Sequence, residues 1–276
     1  MSLSLTIFGC HVTVQCEDAD TRALLVANYG HLQGSLHPGD VRYVVSMTRS
    51  QKGAPLFSMV RAGLGPLLAA DAGEFLWLFE KDMTIALQQL RPDLYFVHAG
   101  VLSYRHRAFM LVGPSGSGKS TLTWALVHHD CRYLSDELAG IDLRTLAVLP
   151  YPHAICLKQE PPPAYPLPEQ TLRTAYTLHI PAATLAGGVS RDAAPLVAAF
   201  FLEYQREASH PTIRPLSHAA ATARLLASAL NPLVHPAAGL DGAITLSAKV
   251  VPFELVSANL PTTCARIIQT LDTVDG

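Results

Sequence analysis

The sequence has no basic run, no paired cysteines and no apolar stretch long enough to cross a bilayer, and each absence removes a class of function. Charged residues are only 15 % of the 276, and the formal net charge is −2. Without a lysine- or arginine-rich segment there is no electrostatic footprint for nucleic acid or an anionic membrane surface. The five cysteines, Cys10, Cys16, Cys131, Cys156 and Cys264, are odd in number and scattered. None stands in a C-x-x-C pair, which argues against a zinc site or a disulfide framework and for reduced, buried thiols. Residues 1–6 lack a basic start and a long apolar core, so no secretory signal is expected. The longest apolar stretch, near residues 193–202, falls short of the roughly 20 residues a membrane helix needs. A cytoplasmic protein fits all of this. What the chain does have is apolar content: 49 % hydrophobic residues, enough for one large core or two modest ones.

In the middle of the chain stands Gly113-Pro114-Ser115-Gly116-Ser117-Gly118-Lys119-Ser120-Thr121, an intact G-x-x-x-x-G-K-[ST] phosphate-binding loop. The glycines let backbone N–H groups turn inward around a phosphate chain. Lys119 is placed to reach the β- and γ-phosphates, and the Ser120 hydroxyl to ligate Mg²⁺. Residues 108–112 read as a buried strand feeding the loop. Residues 121–127 read as the helix whose N-terminal dipole faces the anion. A glycine- and serine-rich loop with a solvated lysine is the plainer alternative, but the flanking pattern favours a nucleoside-triphosphate site.

The first ninety residues suggest a separate α/β layer (1–90), with the rest (91–276) forming the P-loop domain. Paired strands are expected at 4–8 and 12–16 around Gly9, and a helix over 18–29 stopped by Gly30. Further short strands are expected at 41–47, 56–60 and 74–79, followed by a helix over 81–90. Beyond the loop, residues 153–157 and 195–202 read as strands. Residues 217–230 read as a helix with Ser217 as N-cap, 252–256 as a strand and 262–271 as a closing helix. The proline-rich segment 161–168 cannot be regular helix or central strand, and reads as a polyproline linker or the base of a mobile loop. Alternation of strand, loop, helix and strand makes the core an α/β sheet.

A second constellation follows the loop's helix. Tyr133-Leu134-Ser135 is a short strand ending in two acids, Asp136 and Glu137. One helix, one turn and one strand separate Lys119 from Asp136. In a parallel sheet that path returns the acid to the loop's side. A carboxylate there can hold Mg²⁺ or its water, or can accept the proton of an attacking hydroxyl. An acidic surface turn is the bland alternative. Lys158 ends a strand-like run, where it could touch a phosphate or simply be solvated.

The segments Val97-His98-Ala99-Gly100-Val101-Leu102, Gly113 to Ser120, and Tyr133-Leu134-Ser135-Asp136-Glu137 resemble the catalytic domain of bacterial HPr serine kinase/phosphorylases. They are most similar to the HprK-related kinase A group, which is linked with peptide-modification systems. The match covers about residues 94–158. It implies a P-loop in a phosphoenolpyruvate-carboxykinase-like fold, with Asp136 as catalytic base and His98 near the phosphates. ATP and Mg²⁺ are the expected cofactors, with GTP and pyrophosphate open as alternative phosphate donors, and the resemblance makes a homo-oligomer plausible. Where that family has a second aspartate, this chain has Glu137, and its later glycine-rich signature has no counterpart here. The acceptor is therefore expected not to be HPr.

These readings combine into one expectation. Loop amides hold the β-phosphate, and Lys119 offsets charge on the transferred group. Ser120, with Asp136 or Glu137, fixes Mg²⁺, while Asp136 takes the proton of a serine or threonine hydroxyl on a peptide or small protein. Three other functions stay open: a small-molecule hydroxyl kinase, a P-loop ATPase and a nucleotide-sensing module. The first would carry an arginine-rich lid, which Arg191, Arg206, Arg214 and Arg224 do not visibly form. The second would place its acid on a later apolar strand, and the third would have lost the base.

Overall fold

The computed structural model describes residues 1–49, 53–205 and 208–274. In chain order the first elements are β1 (Ser2–Ile7), β2 (Cys10–Cys16), α1 (Ala19–Tyr29), β3 (Val41–Arg49), β4 (Pro55–Arg61), β5 (Leu67–Ala69) and α2 (Ala72–Leu90). Next come β6 (Tyr95–Val97), β7 (Ala99–Tyr104), β8 (Arg107–Val112), α3 (Lys119–Leu126), β9 (Arg132–Ser135), β10 (Ala139–Asp142) and β11 (Ala147–Leu149). Then follow β12 (Ile155–Leu157), β13 (Leu172–Arg173), β14 (Leu178–Ile180), β15 (Ala194–Tyr204) and β16 (Thr212–Pro215). The chain closes with α4 (His218–Ala227), α5 (Leu240–Lys249), β17 (Val251–Ser257) and α6 (Leu260–Thr273). The architecture is mixed α/β with three sheets among the described residues. No described helix is long and apolar enough to cross a membrane.

The chain divides into two compact units. Unit 1 comprises Met1–Arg91, His153–Glu160 and Leu167–Thr184; unit 2 comprises Pro92–Pro152, Pro161–Pro166 and Leu185–Gly276. In unit 1 the strands run β1-β2-β3-β4-β5, with β2 and β3 parallel and the other neighbours antiparallel. A parallel pair needs a crossover, and α1 supplies it between β2 and β3. The Asp18 carboxylate starts α1 by accepting the Thr21 N–H at 2.7 Å, and its other oxygen takes the Met47 N–H at 2.7 Å. A second, smaller sheet in unit 1 has the order β12-β14-β13.

One element differs from its sequence reading. Residues 74–79 are not a strand but the front half of α2, continuous with the expected helix over 81–90. Asp71 caps the Glu74 N–H at 2.9 Å, and Glu74 reaches back to the Ala70 N–H at 2.7 Å. This reciprocal capping fixes a helix start at Ala72. From there Phe75, Leu76, Phe79, Met83, Ala86 and Leu87 fall on one buried face. Phe75 stacks on Phe57 at 5.2 Å, and Phe79 meets Tyr43 at 5.0 Å and Tyr29 at 5.4 Å. Each such side chain contributes about 1.5–3 kcal/mol by leaving water.

Unit 2 is built on a mixed nine-stranded sheet. Its main path is β6-β10-β11-β15-β8-β7-β9, with β17 beside β15 and β16 on the outer edge of β17. The long strand β15 is central, parallel to β8 on one side and to β17 on the other. Its buried residues, among them Leu196, Ala199 and Phe201, share a core with Val101, Met110, Val112, Leu134 and Ile141. The proline-rich segment is no free linker where it crosses this unit. Tyr165 is buried there; its carbonyl accepts from Trp124 Nε1 at 3.1 Å and its hydroxyl meets His129 Nε2 at 2.9 Å. Ser217 caps α4 as its position suggests, accepting from the Ala220 N–H at 3.3 Å.

Candidate functional site

The expectation of a simple parallel neighbour for the loop strand does not hold. Between β8 and β9 lies β7, antiparallel to both. Two strands antiparallel to the same strand run the same way, so β8 and β9 still end at one edge. Ala99 at the start of β7 pairs with Val112, the last residue before the loop, and Val101 pairs with Ser135, the last before the acids. The loop, the His98–Gly100 stretch and the acid pair therefore converge.

The ladder is interrupted there. Val101 faces Ser135 and Val97 faces Ala139, four residues back along one strand and four forward along the other. The pairs on either side of the gap share one register, after an irregularity between Val101 and Leu102, and a Cβ on Gly100 would stand 3.5 Å from Asp136 Oδ1. In this gap the chain passes from β6 to β7 and, alongside, from β9 to β10. The Ser135 hydroxyl pins the second crossing: it donates to the Leu138 carbonyl at 2.8 Å and accepts the Leu138 N–H at 3.2 Å. Asp136 is fully buried at this corner. Its neighbour Glu137 is half-buried and pairs with His98, Nε2 to Oε2 3.0 Å. His98 is itself anchored by its N–H to the Ser228 carbonyl at 2.8 Å.

The loop has the local geometry its glycines allow. Gly116 and Gly118 adopt φ of +85° and +90°, a region that L side chains rarely enter, and a Cβ on either would meet nothing within 4 Å. Backbone conformation, not crowding, demands glycine at both. The bond from the Leu122 N–H to the Gly118 carbonyl at 2.9 Å opens α3, so the amides of Ser120 and Thr121 precede the helical ladder. Both residues are half-buried, whereas Pro114, Ser115, Gly116 and Gly118 are exposed. Lys119 is buried and folds over its own loop, donating to the carbonyls of Gly113 at 2.8 Å and Pro114 at 3.2 Å.

One polar atom of the loop fits a phosphate-bearing ligand in an unforced way: the Ser117 hydroxyl is buried and forms no hydrogen bond among the described residues, and the Thr123 hydroxyl of α3 is likewise unpartnered there. An oriented amide cluster, a lysine ammonium and hydroxyl donors suit a polyphosphate. The hard oxygen donors of Ser120, Asp136 and Glu137 suit Mg²⁺, which takes few protein ligands and keeps water or phosphate oxygens for the rest. No cluster of three or more His, Cys, Asp or Glu side chains able to hold a metal occurs among the described residues.

Lys158 is an exposed residue of unit 1. Arg224 pairs with Glu254 at 2.9 Å, and Arg191 and Arg214 are exposed. Arg206 lies outside the described residues. The sequence reading missed Thr123 as a site residue. Its one signal was position: four residues after Lys119, it lies one helical turn along the same face.

No protein-family model matches the chain, and no curated protein matches it in sequence. Among solved structures the chain is similar to the Hpr(Ser) kinase/phosphatase from Coxiella burnetii. That likeness has 12 % identity and a TM-score of 0.31, over 64 % of this chain and 97 % of that one. A likeness at this level does not fix a fold family. The case for function rests on this chain's own residues.

Proposed function

We propose that the protein is an ATP-dependent kinase with a P-loop core of the HPr-kinase and phosphoenolpyruvate-carboxykinase-like type. In this reading it transfers the γ-phosphoryl group to a serine or threonine hydroxyl of a peptide or small protein. One observation carries it: a buried carboxylate, Asp136, set at the same sheet edge as a glycine-rich loop ending in Lys119. A nucleotide-sensing module needs the loop but has no use for a buried acid there, since burying a carboxylate is costly.

Phosphoryl transfer needs positioning and charge neutralisation more than covalent help. The amides from Gly116 to Ser120 hold the β-phosphate. Lys119 exchanges the Gly113 and Pro114 carbonyls for oxygens of the transferred group. Ser120, with Asp136 or Glu137, would hold Mg²⁺, which would supply neutralisation of phosphate charge there. Asp136 accepts the proton of the acceptor hydroxyl as that oxygen attacks the γ-phosphorus and the bond from phosphorus to the bridging β-phosphate oxygen breaks, with ADP leaving. His98 holds the Glu137 carboxylate and thereby the crossing that carries Asp136.

The acceptor reading rests on this base and on unit 1, which carries no chemistry assigned to it. The experiment is incubation with γ-labelled ATP and two panels: peptides encoded beside the gene, and small hydroxy metabolites. Label on peptide serine or threonine is the expected result. Label on metabolites alone moves the reading to a small-molecule kinase. Free phosphate released without dependence on any acceptor moves it to an ATPase.

A further inference from the structure

Thr123 lies in the second turn of α3, fully buried, with no hydrogen bond from its hydroxyl among the described residues. That is unusual on two counts. A helical threonine commonly returns its hydroxyl to the carbonyl four residues back, and a buried hydroxyl nearly always finds a partner. By contrast Thr222, Thr245 and Thr270 make that backward bond, at 2.8, 2.8 and 2.9 Å. Thr123 instead points its oxygen at Gly100. A Cβ built on Gly100 would stand 2.6 Å from Thr123 Oγ1 and 3.5 Å from Asp136 Oδ1. The side chain that Gly100 lacks is thus replaced by the threonine hydroxyl, inside the break in the ladder, on the side where the acid sits.

We propose that Thr123 is the positioning residue of Asp136. Its hydroxyl donates a hydrogen bond to the carboxylate, directly or across one shared water, and so fixes which carboxylate oxygen faces the acceptor. The inference rests on the kinase reading for its consequence, but not for its geometry. The hydroxyl hydrogen turns freely about the Cβ–Oγ1 bond, so the donor can be aimed toward the acid while the oxygen stays beside Gly100. A carboxylate is the natural recipient, because it offers lone pairs and no proton of its own when ionised. Glycine at 100 then follows, since any Cβ would occupy the hydroxyl's place.

The test combines kinetics with structure. Thr123→Val keeps shape and removes the donor. Its kcat should fall roughly 5–10-fold, the weight of a single hydrogen bond, with KM for ATP and nucleotide Kd unchanged. Thr123→Ser should restore kcat. On an Asp136→Asn background, Thr123→Val should have no further effect, because its action passes through the acid. A Thr123→Val loss that persists in full on that background, or a loss in KM rather than kcat, overturns the proposal.

The structural arm is a high-resolution crystal structure of the wild type with a non-hydrolysable Mg-nucleotide. Thr123 Oγ1 within hydrogen-bond distance of the Asp136 carboxylate, or sharing one water with it, is the expected result. A hydroxyl bonded elsewhere overturns it. If the wild type transfers no phosphate to any acceptor, the kinase reading falls, and this arm alone decides the Thr123–Asp136 contact.

Discussion

Lys119 Nζ stands 2.8 Å from the carbonyl oxygen of Gly113, so the loop's cation is held by the first residue of the loop itself. With the second bond to Pro114, the ammonium is desolvated and directed before any anion arrives. A phosphate therefore competes with two backbone carbonyls, which it does well because it brings a full negative charge to the ammonium where each carbonyl brings only a dipole.

Replacing Lys119 by Ala should weaken Mg-nucleotide binding by roughly 10–100-fold, the equivalent of one or two charge-assisted bonds. Isothermal calorimetry on folded protein measures this directly. Equal affinity in the two proteins removes Lys119 from the phosphate site.

Asp136→Asn preserves shape and takes away the proton acceptor. Nucleotide binding should persist, while single-turnover phosphoryl transfer falls by roughly 10²–10⁴-fold, the usual range for general-base catalysis. An unchanged transfer rate rules Asp136 out as the base.

Gly100→Ala inserts a methyl 2.6 Å from the Thr123 hydroxyl. Overpacking of this kind costs about 1–3 kcal/mol. Thr123→Ala in the same chain clears the space and should recover part of that loss. Chemical denaturation of the two single variants and the double variant reads the coupling, and strict additivity refutes the close approach.

His179 gives unit 1 an acid sensitivity. Burial, aided by nearby His153, pushes its imidazole from the usual 6.5 down to about 4. Its neutral ring meets Asn28 Oδ1 at 2.7 Å and Thr177 Oγ1 at 2.8 Å. Because the folded-state value is depressed, the unfolded chain takes up the proton first as pH falls. The stability held by neutral His179 is complete above pH 6.5 and is lost on descending toward pH 4, by roughly 3 kcal/mol at most. Denaturant midpoints between pH 7 and 4.5 should fall more steeply for the wild type than for His179→Asn. Parallel curves would remove His179 as the cause.

How much of this was legible depended on whether the signal was local. The Asp18 cap, the hairpin around Gly9 and the loop from Gly113 to Thr121 are written in adjacent residues, and each element lies where those residues indicate. The front of α2 was misread because Phe75, Leu76, Trp77 and Phe79 are β-prone when taken alone; the Asp71 cap and the spacing out to Leu87 overrule them. The intervention of β7 was hidden for another reason. Strand order depends on pairings between residues far apart in the chain, and periodicity carries no information about which strand becomes a neighbour. The Gly100–Thr123 approach belongs to the same class, since it exists only once β7 and α3 are packed.

The division of the chain also sets a schedule for its synthesis. Met1–Arg91 leaves the ribosome well before the rest of its unit, which also needs His153–Glu160 and Leu167–Thr184. Asn28, for example, waits for both Ala154, which donates its N–H at 2.8 Å, and His179. At the roughly 5–20 residues per second of translation, the early segment must persist for many seconds with its final strands missing. The earlier-made part of unit 1 is therefore finished late, and a nascent chain stalled in the loop region would expose an unsealed core to chaperones and proteases.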